Sequence, residues 1–135
     1  MPTAPTPHPQ TRLPWTTWLS GWLPPALWAV AIFVLSAQQT LPGLEATALD
    51  FLLKKGAHIT VYAGLYFLLY RGVAMVTTAR HERRRLWVPL VLTLMYAVLD
   101  ELHQSFVPGR SATLVDIGYD TLGAGLVWLK VYDYV

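Results

Sequence analysis

The residues of this sequence that are able to do chemistry are concentrated in three short stretches, each at helical spacing. One stretch contains Lys55, His58 and Tyr62, whose separations of three and four residues place their side chains on one face of a helix. Another contains Asp116 and Asp120, which are one helical turn apart. Clustered carboxylates and imidazoles are suited to acid–base catalysis, and a Lys beside them is suited to binding an anionic group.

The remaining stretch begins at Asp100 and is the densest group of polar residues in the chain. Asp100, His103 and Gln104 share a helical face, and Glu101 points to one side of it. The Pro-Gly pair that follows predicts a tight reversal of the chain before Arg110. The planar guanidinium of an Arg at this place is suited to bidentate binding of a phosphate or carboxylate.

The composition shows what kind of protein must position these residues. Hydrophobic residues make up 54% of the 135 residues and charged residues only 13%, whereas soluble domains are about 25% charged. A net charge of +2 argues against a nucleic-acid-binding module. The absence of cysteine excludes disulfides, thiolate nucleophiles and cysteine-rich zinc sites. The chain therefore reads as a small polytopic membrane protein.

Stretches without charge locate the membrane spans. A transmembrane helix needs about 20 apolar residues, and the sequence predicts an all-α fold, a four-helix transmembrane bundle with short loops. Pro25 is predicted in the first turn of the first helix, where proline is tolerated. Trp15, Trp18 and Trp22 precede it and fit either an aromatic belt at the headgroups or the start of one longer, tilted helix. The predicted spans are about 24–38, 56–78, 86–99 (continuing as a helix through the polar residues that follow) and 114–132.

The N-terminal segment differs in composition from the rest. Residues 1–14 contain five of the ten prolines and little that can be buried, so we expect a disordered tail followed by a membrane domain over residues 15–135. The first apolar run can also be read as a signal peptide. It is long and lacks a small-residue cleavage motif, so we expect it to remain uncleaved.

The distribution of Lys and Arg predicts the orientation. If the loop at residues 80–85 is cytoplasmic, seven of the ten basic residues lie inside, and the positive-inside rule places both termini in the cytoplasm. Arg71, near the end of the second span, is expected to extend to the interface. The polar ends of helices two, three and four then lie at the outer face.

A charge placed at mid-bilayer costs roughly 2.5–3.5 kcal/mol on insertion scales, so these groups must pair or face inward. We predict an outward-facing polar pocket ringed by helices two, three and four. The alternative is that the polar residues only join helices, at about 0.6 kcal/mol per contact. The predicted catalytic residues are His58, Asp100, Glu101, His103 and Asp116, and the predicted ligand-binding residues are Lys55, Tyr62, Gln104, Arg110 and Asp120.

These residues resemble the VanZ-like family. The resemblance covers about residues 26–130, and its most specific part is the long polar block that ends in Pro-Gly-Arg. The elements that carry it are Lys55-x-x-His58-x-x-x-Tyr62, Asp100-Glu101-Leu102-His103-Gln104-Ser105-Phe106-Val107-Pro108-Gly109-Arg110, Asp116 with Gly123 seven residues later, and Ser36-Ala37-Gln38 at the end of helix one.

The resemblance implies a small integral membrane protein of the cell envelope, and some family members are linked to low-level resistance to the glycopeptide teicoplanin. An acyltransferase label accompanies some members, but this sequence has no phosphate-cradling glycine loop and no nucleophile elbow. Two positions depart from the family pattern. Asp120 stands where Asn is usual, which adds negative charge to an acidic site, and Val61 stands where many members have Glu.

Three functions are compatible with this pattern. In the first, the pocket acts on a lipid-linked or cell-wall-related substrate, with Asp100 or Glu101 as base and His58 or His103 as partner. In the second, it binds a lipid, glycopeptide or protein partner without catalysis. In the third, His58, His103 and one of the two carboxylates hold a metal. We expect no cofactor and no nucleic acid, and we predict a multi-pass protein of the cell membrane. Enzyme or binder, and the oligomeric state, are open at this point.

Overall fold

The computed structural model describes residues 13–38, 48–77, 81–110 and 112–133. In these ranges the chain forms four helices and no strand, which confirms the predicted all-α fold. Residues 1–12 lie outside the described residues, so the disordered tail remains a prediction. The helices are α1 (Trp15–Ser36), α2 (Ala48–Val76), α3 (Glu82–Gln104) and α4 (Leu114–Tyr132).

The helices begin earlier than the predicted spans. α1 starts at Trp15, so the three Trp residues belong to one long helix, and Pro25 lies in its interior rather than in its first turn as predicted. α2 starts at Ala48 instead of residue 56, and α3 starts at Glu82 instead of residue 86. For α2 and α3 the reason is that absence of charge marks the part of a helix suited to lipid, whereas the helix itself also includes charged residues at its start.

Pro24 explains an unexpected contact of Arg71. Proline has no N–H, so the carbonyl four residues earlier, that of Ser20, loses its helical partner. Arg71 of α2 donates a hydrogen bond of 3.1 Å to this carbonyl. Arg71 is exposed and was expected only to reach the interface. In the fold it also satisfies a backbone group that Pro24 leaves free, as neighbouring helices do in membrane proteins.

α2 is the central helix and packs closely against the other three, whereas the backbones of α1 and α3 are farther apart and these two helices meet through side chains. Glycines allow two of these contacts. A Cβ on Gly72 of α2 would lie 2.6 Å from the carbonyl oxygen of Gly21 in α1, and a Cβ on Gly123 of α4 would collide with the carbonyl oxygen of Ile59 in α2. Small residues let membrane helices approach in this way.

The outer surface of the bundle is apolar. Leu27, Leu35 and Met95 are each more than half exposed, and the buried core is small, centred on Tyr62 and Leu65. Three described segments are long and apolar enough to cross a membrane: α1, residues 51–76 of α2, and α3. α4, the predicted fourth span, is not among them because charged residues interrupt it, so its crossing remains a prediction.

Candidate functional site

The polar residues meet at one end of the bundle. There the carboxyl ends of α1 and α3 lie beside the amino ends of α2 and α4, because successive helices run in opposite directions. All ten residues singled out from the sequence lie at this end. They do not form a single group, however: one network surrounds Asp100, and a second joins α2 to α4.

Asp100 is the centre of the first network. Only 4% of the residue is exposed. Its Oδ1 accepts a hydrogen bond of 2.6 Å from Ser36, and its Oδ2 accepts one of 3.1 Å from Tyr62 and one of 3.0 Å from Gln104. The three donors are neutral and come from α1, α2 and α3.

Arg110 extends this network to the end of α1. Its Nη1 donates to Oε1 of Gln104 at 3.1 Å, and its Nη2 and Nε donate to the carbonyl oxygens of Leu35 and Gln38, each at 3.1 Å. The last carbonyls of a helix lack partners within the helix. Arg110 therefore caps α1, and its positive charge interacts favourably with the negative end of the helix dipole.

The second network joins the amino ends of α2 and α4. Lys55 forms an ion pair with Asp116 Oδ1. Thr113, the N-cap residue of α4, donates from its hydroxyl to Asp116 Oδ2 at 2.9 Å, and its backbone N–H donates to Oε1 of Glu101. The α4 end is thus fixed from both neighbouring helices, and this part of the cluster fits the interpretation of polar residues as links between helices.

His58 and Asp120 form the other contact between a basic side chain of α2 and an acid of α4. Nδ1 of His58 lies 2.8 Å from Oδ1 of Asp120, whose side chain is 1% exposed. A carboxylate at this distance orients the imidazole and favours a proton on Nδ1, leaving Nε2 for exchange with a ligand. The Asp that departs from the family pattern therefore has a specific partner in this chain.

Glu101 and His103, two of the predicted catalytic residues, lie outside the Asp100 network. Glu101 was expected at the side of the α3 face; it is 5% exposed, and its Oε2 has no hydrogen-bond partner among the described residues. The ring of His103 stacks on Phe33 of α1, with the centroids 4.3 Å apart. Its Nδ1 is likewise without a partner in the described part of the chain.

A cavity of about 180 Å³ lies beside the Asp100 network. It is lined by α1, α2, α3 and Arg110, whereas the sequence predicted walls from helices two, three and four. Its lining combines polar side chains of the Asp100 network with apolar residues of α1 and α2. The predicted site residues that line it are His58, Tyr62, Asp100, Gln104 and Arg110, and those that do not are Lys55, Glu101, His103, Asp116 and Asp120.

Three residues of this region were not predicted from the sequence to belong to the site. Ser36 donates to Asp100 and lines the cavity, and its only sequence signal was the Ser-x-Gln element. Lys54 also lines the cavity, although its neighbour Lys55 fitted the helical spacing better. Thr113 is three residues before Asp116, which is the spacing of an N-cap contact.

The alternative metal site is not supported by the geometry. Among the described residues, no three His, Asp or Glu side chains are grouped so that they could hold a metal ion. His58 is engaged with Asp120, whereas His103 stacks on Phe33, so the proposed ligand set is not brought together.

A protein-family model described as VanZ/LLP1 matches residues 13–132. The match includes all four helices and every residue of the two networks. No curated protein and no solved structure matches the chain.

Proposed function

The chain belongs to the VanZ/LLP1 family and is a membrane protein of the VanZ type, and on this basis we propose that its cavity is a binding pocket for a lipid-linked or cell-wall-related ligand. The observation that carries the proposal is that His58, Asp100 and Arg110, from α2, α3 and the loop after α3, line one cavity with apolar residues beside them. Ionisable residues at membrane depth mark functional sites by default.

The pocket opens to the outer face of the cell membrane in this proposal. The basic run at residues 83–85 lies at the opposite end of the bundle, at the start of α3. Basic residues favour the cytoplasmic side. Both termini are then cytoplasmic, the chain crosses the membrane four times, and a cell-wall precursor or a glycopeptide reaches the pocket from outside.

Within the pocket, we assign proton transfer to His58 and positioning to Asp100. His58 lines the cavity and is held from behind by Asp120, which is an arrangement suited to a general base. Both oxygens of Asp100 already accept hydrogen bonds from Ser36, Tyr62 and Gln104. Asp100 thus fixes the pocket wall.

Substitutions at the pocket test this proposal. In a teicoplanin-susceptible bacterial host, we expect expression of the wild-type chain to lower susceptibility and the His58→Gln and Arg110→Gln variants to lose that effect. The matched control is His81→Gln, which changes an exposed His at the opposite end and should behave as wild type. If both pocket variants insert normally and keep the wild-type effect, the proposal is wrong.

A second candidate function is non-catalytic: a binding or scaffold protein whose polar cluster holds helices together. The pairing of Lys55 with Asp116 and of Thr113 with Glu101 favours it, since these contacts only join helices. Asp120→Asn separates the two candidates, because the amide oxygen still accepts from His58 but lacks the charge that stabilises a protonated imidazole. An acid–base enzyme loses its cellular effect and keeps ligand binding, whereas a binder keeps both.

A further inference from the structure

Arg110 carries a positive charge that no acid of the described chain neutralises. Its three contacts are to neutral oxygens, those of Leu35, Gln38 and Gln104. Asp116 and Asp120 contact Lys55 and His58 instead. The guanidinium has five N–H donors, so some remain for a ligand. Arg110 is therefore a cation whose orientation is fixed by three hydrogen bonds.

This cation is at the rim of the cavity together with a second one. Lys54, on the first part of α2, lines the same cavity and is exposed. The acid of this cavity, Asp100, is buried away from the rim and accepts hydrogen bonds from Ser36, Tyr62 and Gln104. The groups available to a ligand at the rim are therefore positive.

Below the rim the cavity also has an apolar lining, beside the polar side chains of His58, Tyr62 and Asp100. Ile32 of α1 is one helical turn below Ser36, and Val61 of α2 is two turns below Lys54. Leu35 and Ala57 complete the wall between them and the rim. Cations thus lie at the membrane surface and apolar side chains lie toward the membrane interior, which is the distribution needed to hold an amphiphile with an anionic head.

We infer that the pocket binds an anionic amphiphile, a single phosphate or similar oxyanion on an apolar chain, and this inference rests on the proposed function of the pocket. Arg110 and Lys54 hold the oxyanion, since an Arg fork matches two of its oxygens. The chain packs on Ile32, Leu35 and Val61. At about 180 Å³ the cavity is smaller than pockets that enclose a whole ligand, so the rest of the chain extends into lipid.

Equilibrium binding to the full-length protein in phosphatidylcholine nanodiscs tests the inference. The probes are radiolabelled dodecyl phosphate and dodecanol, which share a chain and differ in the head, with binding to empty nanodiscs subtracted. We expect dodecyl phosphate to bind the wild type at least tenfold more tightly than dodecanol. Unlabelled inorganic phosphate, which has the head without the chain, should compete only weakly.

Variants of the two cations identify the site. Arg110→Gln should weaken dodecyl phosphate binding about tenfold or more, because charge-assisted hydrogen bonds are lost. Lys54→Gln changes an exposed side chain that the fold does not need, and it should weaken binding about threefold to tenfold even if Arg110→Gln fails to fold. Arg84→Gln removes the same charge from an exposed position at the opposite end and should leave binding unchanged.

The outcomes separate this inference from the proposed function. If dodecyl phosphate and dodecanol bind equally well and Val61→Asn weakens the binding of both, the preference for an anionic head is wrong, but the pocket still binds an amphiphile. Competition by inorganic phosphate as strong as that by dodecyl phosphate overturns the role of the apolar wall and indicates a free anion instead. If neither amphiphile binds above empty nanodiscs, the inference and the lipid-binding pocket both fail.

Discussion

Asp100 shows how a single side chain organises one end of this protein. It is a nearly fully buried carboxylate with no cation in contact among the described residues, and its donors Ser36, Tyr62 and Gln104 belong to three helices. Each hydrogen bond to a charged group contributes about 1.5–3 kcal/mol. The carboxylate therefore ties α1, α2 and α3 together at the point where the cavity forms.

We predict that Asp100→Asn destabilises the protein. The single amide oxygen can still accept from Tyr62 and Gln104, but the NH₂ group then faces Ser36, so the hydrogen bond from Ser36 to Oδ1 is lost and the other two are no longer made to a charged group. The expected loss is about 1–3 kcal/mol of unfolding free energy, measured as a lower thermal midpoint of the detergent-solubilised protein. Asp133→Asn, at an exposed position after α4, is the control. Equal midpoints for the two variants would contradict the bridging role.

Helical spacing predicted which side chains share a face, but it did not predict what that face contacts. Lys55 and His58 are three residues apart, and both reach α4, where the first contacts Asp116 and the second Asp120. Only His58 also lines the cavity. His103 was placed with Asp100 by spacing, yet its ring stacks on Phe33 of α1. The position of a neighbouring helix decides each of these outcomes, and a single sequence does not contain it.

Among the helices, the contact of α2 with α4 depends on the absence of one side chain. A Cβ on Gly123 would collide with a backbone carbonyl of α2, whereas a Cβ on Gly125, two residues later in the same helix, has nothing within 4 Å. A backbone atom cannot turn aside as a flexible side chain does. The two glycines therefore form a matched pair for testing the helix contact.

We predict that Gly123→Ala lowers stability by about 1–3 kcal/mol, which is the usual cost of overpacking. Gly125→Ala should be neutral or raise stability by up to about 1 kcal/mol, because Ala favours helix formation more than Gly does. Thermal unfolding of both variants in the same detergent is the measurement. A Gly125→Ala variant as unstable as Gly123→Ala would show that the close approach of α2 and α4 is wrong.

The contact of Arg71 with α1 makes a second prediction for the helices. Arg71→Met should destabilise the wild-type chain, since the Ser20 carbonyl freed by Pro24 then has no donor. In a Pro24→Ala background, the backbone regains an N–H at this position and supplies that donor, so the same change should cost less. A double-mutant cycle of unfolding free energies measures the difference, expected at about 0.5–1.5 kcal/mol. Equal costs in both backgrounds would exclude the proposed link.

For the molecule as a whole, the sequence was sufficient to predict four helices, because the absence of charge over long apolar stretches is a strong and local signal. It was not sufficient to predict where helices begin, since α2 and α3 begin at Ala48 and Glu82, before their apolar stretches begin. Pro24 and Pro25 suggested a helix start, yet Arg71 allows α1 to continue through Pro24.

The walls of the cavity depend on the whole arrangement of helices. α4 carries Asp116 and Asp120 and was expected to border the pocket. Instead it packs against α2, where Asp116 contacts Lys55 and Asp120 contacts His58. α1, which has no charged residue between Trp15 and Ser36, supplies the wall instead. An apolar helix gives no sign in its sequence that it borders a polar pocket.

Whether the cavity opens to the outside of the cell can be measured directly, because the chain contains no cysteine of its own. Cysteine is introduced at Ala57, which is exposed in the cavity wall, or at His81, which is exposed at the opposite end. Intact cells are treated with a membrane-impermeant anionic thiol reagent. We predict that Ala57→Cys is labelled in intact cells and His81→Cys only after permeabilisation; the reverse pattern would show that the cavity faces the cytoplasm.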